Sequence, residues 1–319
     1  MFQFKLQLSE DDDSNGVATC AKFSPDGSRV AVVKGTVVLI WELEGDGTPL
    51  IITTSHIRPI SDVCWSPDGQ CVATASDDFS IETTHLEYGS LHRFMGHTAP
   101  VVSLCFNDKG NLLFSSSMDE SIKIWDVLNG SVMRTVAAHS ESVVSIDIPA
   151  DDSTIVCSGS YDGLIRVFDT ASGHCLKTLT YDKDWKSENG VVPITQVKCS
   201  RNGRYLVVKS LDGIVKLWDC IRGYVVRTFK VESDEVRNLQ RSCGMDLLYP
   251  ESGLPPVVVS GYELGQIYCW DSADKRLVQL LEGERHRGSP IMSIHCHGNL
   301  MCSLSLDGEC NLWEWKQSA

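Results

Sequence analysis

Hydrophobic residues along this chain alternate with polar ones in short segments, and polar turns separate the segments. Residues 37–41 and 205–208 are among the longest apolar runs, and each has the length of one β-strand. Turn-forming sequences stand between such segments, including Ser-Pro-Asp-Gly at residues 24–27 and 66–69 and Arg-Asn-Gly at residues 201–203. The pattern predicts antiparallel strands joined by tight turns.

The ends of these segments repeat along the chain. Residues 117–126 read Ser-Met-Asp-Glu-Ser-Ile-Lys-Ile-Trp-Asp, and similar endings occupy residues 160–169 and 210–219. A period of roughly 40 to 50 residues that opens with Gly-His and closes with Trp-Asp is the signature of WD-repeat blades. Seven repeats are present, at about residues 15–43, 55–86, 96–127, 138–170, 189–220, 241–272 and 286–316.

The seven repeats predict an all-β, seven-bladed WD-repeat β-propeller with four antiparallel strands in each blade. The seventh repeat ends near residue 316, whereas residues 2–8 precede the first repeat. Residues 2–8 are therefore expected to be the closing strand of the last blade, because closure removes open sheet edges. We expect residues 1–319 to form a single domain of this kind.

Composition and charge narrow the function classes. The net charge is −14, which argues against a broad nucleic-acid-binding face and fits either attraction of basic peptides or simple solubility. No apolar run approaches the ~20 residues of a transmembrane helix, and the start of the chain lacks the apolar core of a secretory signal. The thirteen cysteines include no Cys-x-x-Cys pair, so we expect reduced thiols in the cytosol or nucleus.

Residues 295–297 read His-Cys-His, which looks like a metal-binding sequence. In an extended strand, however, His295 and His297 share one face while Cys296 points to the other. We therefore expect no zinc there. Because no motif for nucleotide, metal or nucleophile chemistry occurs elsewhere, no catalytic site, metal or cofactor is predicted.

Three segments are longer than the repeat requires and are predicted to be loops at or between blades. They are residues 181–190, 231–240 and 250–256. Trp185 in the first loop either contacts a partner or anchors the loop on a blade edge. The acidic run at residues 10–13 is expected to be a solvated turn.

Serine, histidine and aspartate recur within the repeats in a way that invites a hydrolase interpretation. In the third repeat, His97, Ser115 or Ser117, Asp119 and Trp125 are spaced so that they can meet. A nucleophile needs one exposed site with an oxyanion hole, whereas here the same residue types recur, so a buried structural network fits better. The residues assigned to this network are His56, Asp78, His97, Asp119, Trp125, His139, Asp162, Asp212 and Trp218.

A propeller has two faces and a central channel. The residue before each structural aspartate, and residues after the histidine-containing turn, are expected at the channel mouth. The resulting collar is mixed, with an acidic side at Asp77 and Glu263, and would suit a short basic peptide. The residues assigned to it are Ser61, Asp77, Val102, Met118, Tyr161, Leu211 and Glu263.

Several longer strings resemble one WD-repeat family closely. They are residues 76–78, 117–126, 160–166 and 173–179. The family is the propeller subunit of COMPASS-type histone lysine methyltransferase complexes. The whole chain looks like the fungal (yeast) member, including Met-Phe-Gln-Phe at residues 1–4 and Lys-Asp-Trp-Lys at residues 183–186.

The resemblance implies a non-catalytic scaffold in the nucleus. Such a subunit supports assembly and activity of the SET-domain subunit with other COMPASS subunits, in transcription-linked chromatin. The assembled enzyme methylates lysine on the histone H3 tail. Contact with the histone tail or nucleosome would be indirect, and we expect neither sequence-specific nucleic-acid binding nor membrane contact.

The resemblance also implies a peptide site at the channel mouth. In the animal member, two phenylalanines grip an arginine of a peptide there, and alignment of the turns gives Val102 and Met245 at those positions. Neither side chain offers an aromatic face for a cation. Because Ser61, Asp77 and Tyr161 still match the mouth, we expect a peptide to dock with weak or absent arginine recognition.

A second partner peptide is implied on the opposite face, near the fifth and sixth blades. The matching positions are Asn202, Tyr205, Leu217, Leu248 and Pro250. The first three look like the family pattern, although Tyr205 and Leu217 could equally be ordinary strand residues. Leu248 replaces an aromatic residue and Pro250 replaces a valine, so that half departs from the family.

Two other function classes stay open. A substrate-recruiting adaptor of a ubiquitin ligase would share the fold, although no F-box precedes the first repeat. A hydrolase or metalloenzyme would need a unique site, which the repeated residue types do not provide. Identification of copurifying SET-domain subunits or cullin components would separate the scaffold from the adaptor.

Overall fold

The computed structural model describes residues 1–8, 17–45, 47–150, 153–180, 191–231, 241–250 and 253–316. Within these ranges the chain forms strands β1–β28 and a short 3-10 helix at Gly283–His286. The predicted loop at 181–190, most of the loop at 231–240 and the acidic run at 10–13 lie outside the described residues. No described helix has the length and apolar character needed to cross a membrane.

The chain divides into two compact units, and the first comprises Met1–Val63 and Val231–Ala319. Its described residues form three four-stranded sheets, with orders β2-β3-β4-β5, β22-β23-β24-β25 and β1-β28-β27-β26. The strands are β1 (Phe2–Leu8), β2 (Ala18–Phe23), β3 (Arg29–Lys34), β4 (Val37–Glu42), β5 (Leu50–Thr53), β22 (Met245–Leu248), β23 (Val257–Gly261), β24 (Ile267–Asp271), β25 (Leu277–Leu281), β26 (Ile291–His297), β27 (Leu300–Ser305) and β28 (Cys310–Trp315).

The second unit is Cys64–Lys230. It contains the sheets β10–β13, β14–β17 and β18–β21, and strands β7–β9 of a sheet whose first strand is β6 (Ile60–Trp65). The strands are β7 (Cys71–Ser76), β8 (Ser80–His85), β9 (Gly89–Met95), β10 (Val101–Phe106), β11 (Leu112–Ser117), β12 (Ser121–Asp126), β13 (Ser131–Ala137), β14 (Val143–Asp147), β15 (Ile155–Ser160), β16 (Leu164–Asp169), β17 (Cys175–Thr180), β18 (Ile194–Cys199), β19 (Tyr205–Ser210), β20 (Val215–Asp219) and β21 (Tyr224–Phe229).

Seven four-stranded antiparallel sheets therefore account for β1–β28, and we number them in chain order as blades one to seven. The seventh blade comprises β26, β27 and β28 with β1 as its outer strand. The predicted class, an all-β seven-bladed WD-repeat propeller closed by the N-terminal strand, is confirmed. That residues 1–319 form a single domain stays a prediction.

Tight turns join the first and second strands where the sequence predicts them. In the first blade, the Gly27 N–H donates to the Ser24 carbonyl at 2.9 Å, and Gly27 adopts a φ of +72°. Hydrogen bonds from the Ser24 and Ser28 hydroxyls lower the pKa of Asp26 to about 2, so this carboxylate also fixes the turn. Gly203 has a φ of +66° in the corresponding turn of the fifth blade. Glycine reaches these conformations without steric cost.

Alternate side chains of the strands fill the spaces between neighbouring blades. In the second unit, Ile81, Phe94 and Trp125 belong to one buried cluster, and the Phe94 ring meets Trp125 edge-on with 5.5 Å between centroids. In the first unit, Val30 and Trp41 belong to another buried cluster. Burial of this apolar surface, at about 25 cal/mol per Å² removed from water, is the main stabilising contribution of the strands.

The first strand of most blades carries a β-bulge. Val101 pairs with Ser117 and Ser103 with Ser116, so Val102 is the extra residue in β10. Equivalent register shifts occur in β14, β18 and β26. By contrast, β22 pairs with β23 without a shift from Met245 onwards. Aligned on the buried tryptophans, Met245 corresponds to Leu104, so β22 begins after the position that the bulge occupies in β10.

The closing strand is held on two sides. Phe2 pairs with Trp315 and is 3% exposed, and its ring meets the Trp315 ring edge-on at 5.0 Å between centroids. The Gln279 side chain of β25 accepts from the Phe2 N–H at 2.6 Å and donates to the Phe2 carbonyl at 3.0 Å. The first strand is therefore part of the seventh blade and is tied to the sixth.

Substitution of Phe2 by alanine is expected to lower the free energy of unfolding by about 3–5 kcal/mol, because it leaves a cavity beside Trp315. Gln3→Ala, on the exposed face of the same strand, is the matched control and is expected to cost less than about 0.5 kcal/mol. Urea-induced unfolding measures both. Equal stability of the two variants would contradict the role given to the closing strand.

Candidate functional site

A chain of buried hydrogen bonds joins four side chains of the third blade. The Trp125 indole N–H donates to Ser115 Oγ at 2.8 Å. Ser115 Oγ also lies 2.7 Å from His97 Nε2, and His97 Nδ1 lies 2.7 Å from Asp119 Oδ2. Ser115 and Trp125 are almost completely buried. The chain links β12, β11, the loop before β10 and the turn after β11.

The chemistry of the end groups gives this chain a direction. An indole N–H can only donate and a carboxylate can only accept, so a neutral His97 with its proton on Nδ1 completes it with one proton per bond. Burial acts to raise the pKa of Asp119, but hydrogen bonds from His97, the Ser121 hydroxyl and the Thr98 N–H outweigh it and hold this pKa well below its usual range. Asp119 is therefore an ionised acceptor at neutral pH.

The fourth blade contains a shorter hydrogen-bond chain of the same kind. His139 Nδ1 lies 2.9 Å from Asp162 Oδ2, and His139 Nε2 lies 2.7 Å from Ser158 Oγ. Phe168 stands at the tryptophan position, so the chain ends at the serine. Burial acts to raise the pKa of Asp162, while the hydrogen bond from His139 and the contacts around it lower this pKa overall.

The seventh blade contains a third such chain, which the sequence analysis missed. The Trp313 N–H donates to Ser303 Oγ at 2.8 Å, and Ser303 Oγ lies 2.8 Å from His286 Nε2. The Asn311 amide contacts the His286 ring at 3.3 Å. Burial lowers the pKa of His286 to about 4, so the ring is neutral near pH 7. A serine ten residues before the closing tryptophan, as in the third blade, was the available signal.

The network is incomplete in the fifth blade. Asp212 accepts from the Ser210 hydroxyl in its own turn. Trp218 is buried, and its indole N–H has no acceptor among the described residues. Val208 occupies the position in β19 that Ser115 occupies in β11. The loss of that hydroxyl explains the unpaired N–H.

The two network residues assigned to the second repeat, His56 and Asp78, belong to different units. His56 is buried, with 6% of the residue exposed. The nearly buried Asp78 side chain accepts from the Ser80 N–H at 3.0 Å and pairs with the Arg93 guanidinium at 3.1 Å. Thr84 stands where the third blade has its tryptophan.

These chains are arranged for structure rather than for nucleophilic catalysis. A Ser-His-Asp hydrolase needs a serine oxygen that is open to substrate. Ser115 and Ser158 are fully buried, and the Ser115 oxygen already accepts from Trp125. The chains therefore fasten loops and turns onto the strands of their blades.

A second set of polar contacts joins the first strands of neighbouring blades. Ser145 Oγ accepts from the Val197 N–H at 3.1 Å, which links the fourth and fifth blades. His295 Nδ1 accepts from the Phe23 N–H at 3.2 Å, which links the seventh and first. His295 of the His-Cys-His run thus has a structural contact. In the described part of the chain, no three His, Cys, Asp or Glu side chains are grouped to hold a metal ion.

Three residues assigned to the channel mouth lie in equivalent turns of the third, fourth and fifth blades. Met118 and Tyr161 are 45% and 41% exposed, and Leu211 is half-buried. The Met118 N–H donates to the Pro100 carbonyl at 3.0 Å, and the Leu211 N–H donates to the Pro193 carbonyl at 2.9 Å. This common anchoring presents the three side chains at one end of the blades of the second unit.

The other residues assigned to the mouth are less exposed. Val102 and Asp77 of the second unit and Ser61 of the first are half-buried. The Glu263 carboxylate accepts from the Arg241 N–H at 2.6 Å. The structural aspartate of the third blade makes the same kind of contact with its own loop. Glu263 therefore fastens a loop in the sixth blade.

Met245 does not belong to an accessible surface, which corrects its assignment to the mouth. The residue is completely buried. When the blades are aligned on their buried tryptophans, Met245 falls at the place of Leu104, a core residue, and Cys243 falls at the place of Val102. The alignment of turns failed because β22 begins at the place of Leu104, three residues later than β10 begins.

Three of the five residues assigned to the opposite face are also buried, which corrects their assignment as contact residues. Leu248 is 0% exposed and Leu217 is 9% exposed, and Pro250 is buried as well. The Leu248 side chain belongs to a buried hydrophobic cluster of the first unit. Asn202 is exposed and Tyr205 is half-buried, so these two remain accessible at the end of β19.

Comparisons with known proteins agree with this geometry. Residues 47–82, 89–126, 130–169 and 173–219 match the family model WD40, described as WD domain, G-beta repeat. The chain is 64% identical to the COMPASS component SWD3 of Saccharomyces cerevisiae over 317 residues, which cover 99% of this chain and 100% of that protein.

More distant relatives share a part of their length with this chain. The nuclear distribution protein nudF of Aspergillus niger is 26% identical over 280 residues, or 82% of this chain and 60% of that protein. The pre-mRNA-splicing factor cwf17 of Schizosaccharomyces pombe is 27% identical over 217 residues, or 67% of this chain and 48% of that protein.

Four-stranded blades, a complete Trp-Ser-His-Asp chain in the third blade, shorter or altered chains in the fourth and seventh, and the matching family model together define a WD-repeat protein. The full-length similarity to SWD3 narrows the class. The chain belongs to the family of fungal WD-repeat subunits of COMPASS.

Substitution of Asp119 by alanine is expected to lower the free energy of unfolding by about 1–3 kcal/mol, because it leaves the buried Nδ1–H of His97 without its acceptor. Asp307→Ala is the matched control. Asp307 occupies the equivalent turn of the seventh blade, where it is exposed and the buried His286 contacts Ser303 and Asn311 instead. Thermal unfolding compares the two variants. An Asp119→Ala variant that melts like the unsubstituted protein would overturn the structural role of the network.

Proposed function

We propose that the protein is a non-catalytic scaffold subunit of a COMPASS-type complex that methylates lysine on the histone H3 tail. It acts in the nucleus, where it supports assembly and activity of the SET-domain subunit together with other COMPASS subunits. The observation that carries the proposal is the 64% identity with the COMPASS component SWD3 across 99% of this chain and 100% of that protein. A match through all seven repeats includes surface positions as well as core positions.

The contacts in the interior of the blades support the proposal that the protein is a scaffold. The Ser, His and Asp side chains that could serve in catalysis are occupied with one another and with buried tryptophans. Burial and the neighbouring Asp62 carboxylate raise the pKa of the Cys20 thiol to about 12, so it is a poor nucleophile as well. These buried side chains are therefore not available to a substrate, and we expect other molecules to contact the described residues at the surface of the blades.

The proposed contact surface in the second unit is the set of turn residues Met118, Tyr161 and Leu211 with Val102 beside them. Met118 and Tyr161 supply exposed apolar and aromatic area. Val102 has no ring, and stacking of a cation on an aromatic face contributes about 0.5–2 kcal/mol. A partner peptide is therefore expected to dock through apolar and hydrogen-bonding contacts, with little contribution from a gripped arginine.

Affinity purification tests the scaffold proposal. The tagged full-length chain would be expressed in Saccharomyces cerevisiae cells that lack SWD3, and copurifying proteins identified by mass spectrometry. SET-domain and other COMPASS subunits are expected, together with more histone H3 lysine methylation than in cells that carry an empty vector. Cullin components in their place would favour the ubiquitin-ligase adaptor, and recovery of neither group would contradict the scaffold.

A matched pair of surface variants tests the contact surface in the same experiment. The double variant Met118→Ala, Tyr161→Ala is expected to recover less of the COMPASS subunits. The control is Leu176→Ala, Ile221→Ala, which removes side chains that are 58% and 72% exposed outside the proposed surface. Both variants are expected to melt like the unsubstituted protein. Equal recovery with both would show that partners bind elsewhere.

A further inference from the structure

The turn between the third and fourth strands of a blade is usually fixed by an aspartate. Asp126 Oδ1 accepts from the Leu128 N–H at 2.9 Å and the Asn129 N–H at 3.1 Å. Asp169 and Asp219 accept turn N–H groups in the same way, at 2.7 and 2.8 Å. Hydrogen bonds from the Asn129 side chain and backbone lower the pKa of Asp126, so this acceptor keeps its charge in mildly acidic solution.

The second blade has a histidine in this position. His85 pairs with the first residue of β7, as the turn aspartate of the third blade pairs with the first residue of β11. Its Nδ1 accepts from the Glu87 N–H at 3.0 Å and the Tyr88 N–H at 3.3 Å. The imidazole therefore accepts the two backbone hydrogen bonds that the Asp126 carboxylate accepts in the third blade.

We propose that His85 makes the β8–β9 turn a pH-sensitive switch, closed while Nδ1 is unprotonated and open once the imidazole gains a second proton. A neutral imidazole carries its proton on one nitrogen, so Nδ1 accepts only while the proton is on Nε2. In the imidazolium both nitrogens are donors, so the Glu87 and Tyr88 N–H groups then face a third donor. Imidazoles change charge between about pH 5 and 8, where the turn carboxylates of other blades remain acceptors.

One carboxylate and one thiol face His85 from neighbouring parts of the blade. Asp68 lies across from it in the β6–β7 turn. Its pKa is lowered chiefly by the hydrogen bond from Ser66, and positive charge on His85 adds to that effect. Cys71, opposite His85 on β7, stays neutral because burial raises its pKa.

The fourth strand and the turn itself complete the surroundings. Gly89 of β9 pairs with His85 and carries no charge. Glu87 is exposed, and the Tyr88 ring rests on the imidazole with 4.4 Å between centroids while 78% of the residue is exposed. Opening the turn therefore repositions an exposed aromatic side chain at the outer end of the second blade.

Nuclear magnetic resonance of the full-length protein tests the switch between about pH 7.5 and 5.5, the range in which imidazoles titrate. Nitrogen-15 spectra are expected to show the Nε2–H tautomer of His85 at the upper pH. On acidification, exchange protection of the Glu87 and Tyr88 amides, corrected for the intrinsic rate, is expected to fall about tenfold, as for loss of an ordinary hydrogen bond. The midpoint should coincide with that of the His85 ring.

Two controls separate this switch from general acid effects. In the same spectra, the Ser172 amide, which bonds to Asp169, should keep its protection. The variant His85→Asp restores the usual acceptor and should keep the Glu87 and Tyr88 amides protected across the range. An Nδ1–H tautomer at neutral pH, a ring that does not titrate in this range, or unchanged amide protection while the ring titrates would each overturn the proposal.

Discussion

The buried hydrogen-bond chain from Trp125 through Ser115 and His97 to Asp119 is the interaction on which the third blade depends. It joins the second and third strands to a loop and a turn that would otherwise be held by their backbones alone. Because an unpaired buried polar group costs about 1–3 kcal/mol, loss of one member of the chain also destabilises the protein through the partner that it leaves unpaired. The turn it fixes carries Met118, so an interior contact determines what the surface presents.

The blades differ in how they pair the buried polar groups at these positions. The fourth ends its chain at Ser158, the seventh places Asn311 beside its histidine, and the fifth leaves the indole of Trp218 unpaired after losing the hydroxyl. The second blade keeps the turn contacts but makes them with the His85 ring. The repeated fold therefore tolerates local replacements of these residues, and the replacements give individual blades their own properties.

Much of the fold followed from the pattern of residues. Alternation and turn sequences predicted the strands, and seven repeats with a short leader predicted closure by β1, because both depend on local spacing. The contact surface was harder to predict from the sequence. Met245 and Leu248 are core residues, and the first strand of the sixth blade begins only at Met245, in the place of Leu104. Backbone irregularities of this kind leave little trace in the alternation of side chains. The hydrogen-bond chain of His286 was also hard to predict, because the partner of His286 is Asn311 rather than an aspartate.

The central claim is that the repeated serine, histidine and aspartate act together as one structural unit. A double-mutant cycle with Ser115→Ala and Asp119→Ala tests it most directly, because the two side chains contact opposite nitrogens of His97 and not each other. Equilibrium unfolding of both single variants and the double variant gives the interaction energy. Coupling of about 0.5–3 kcal/mol is predicted for members of one network. Losses that add to within about 0.3 kcal/mol would contradict the claim.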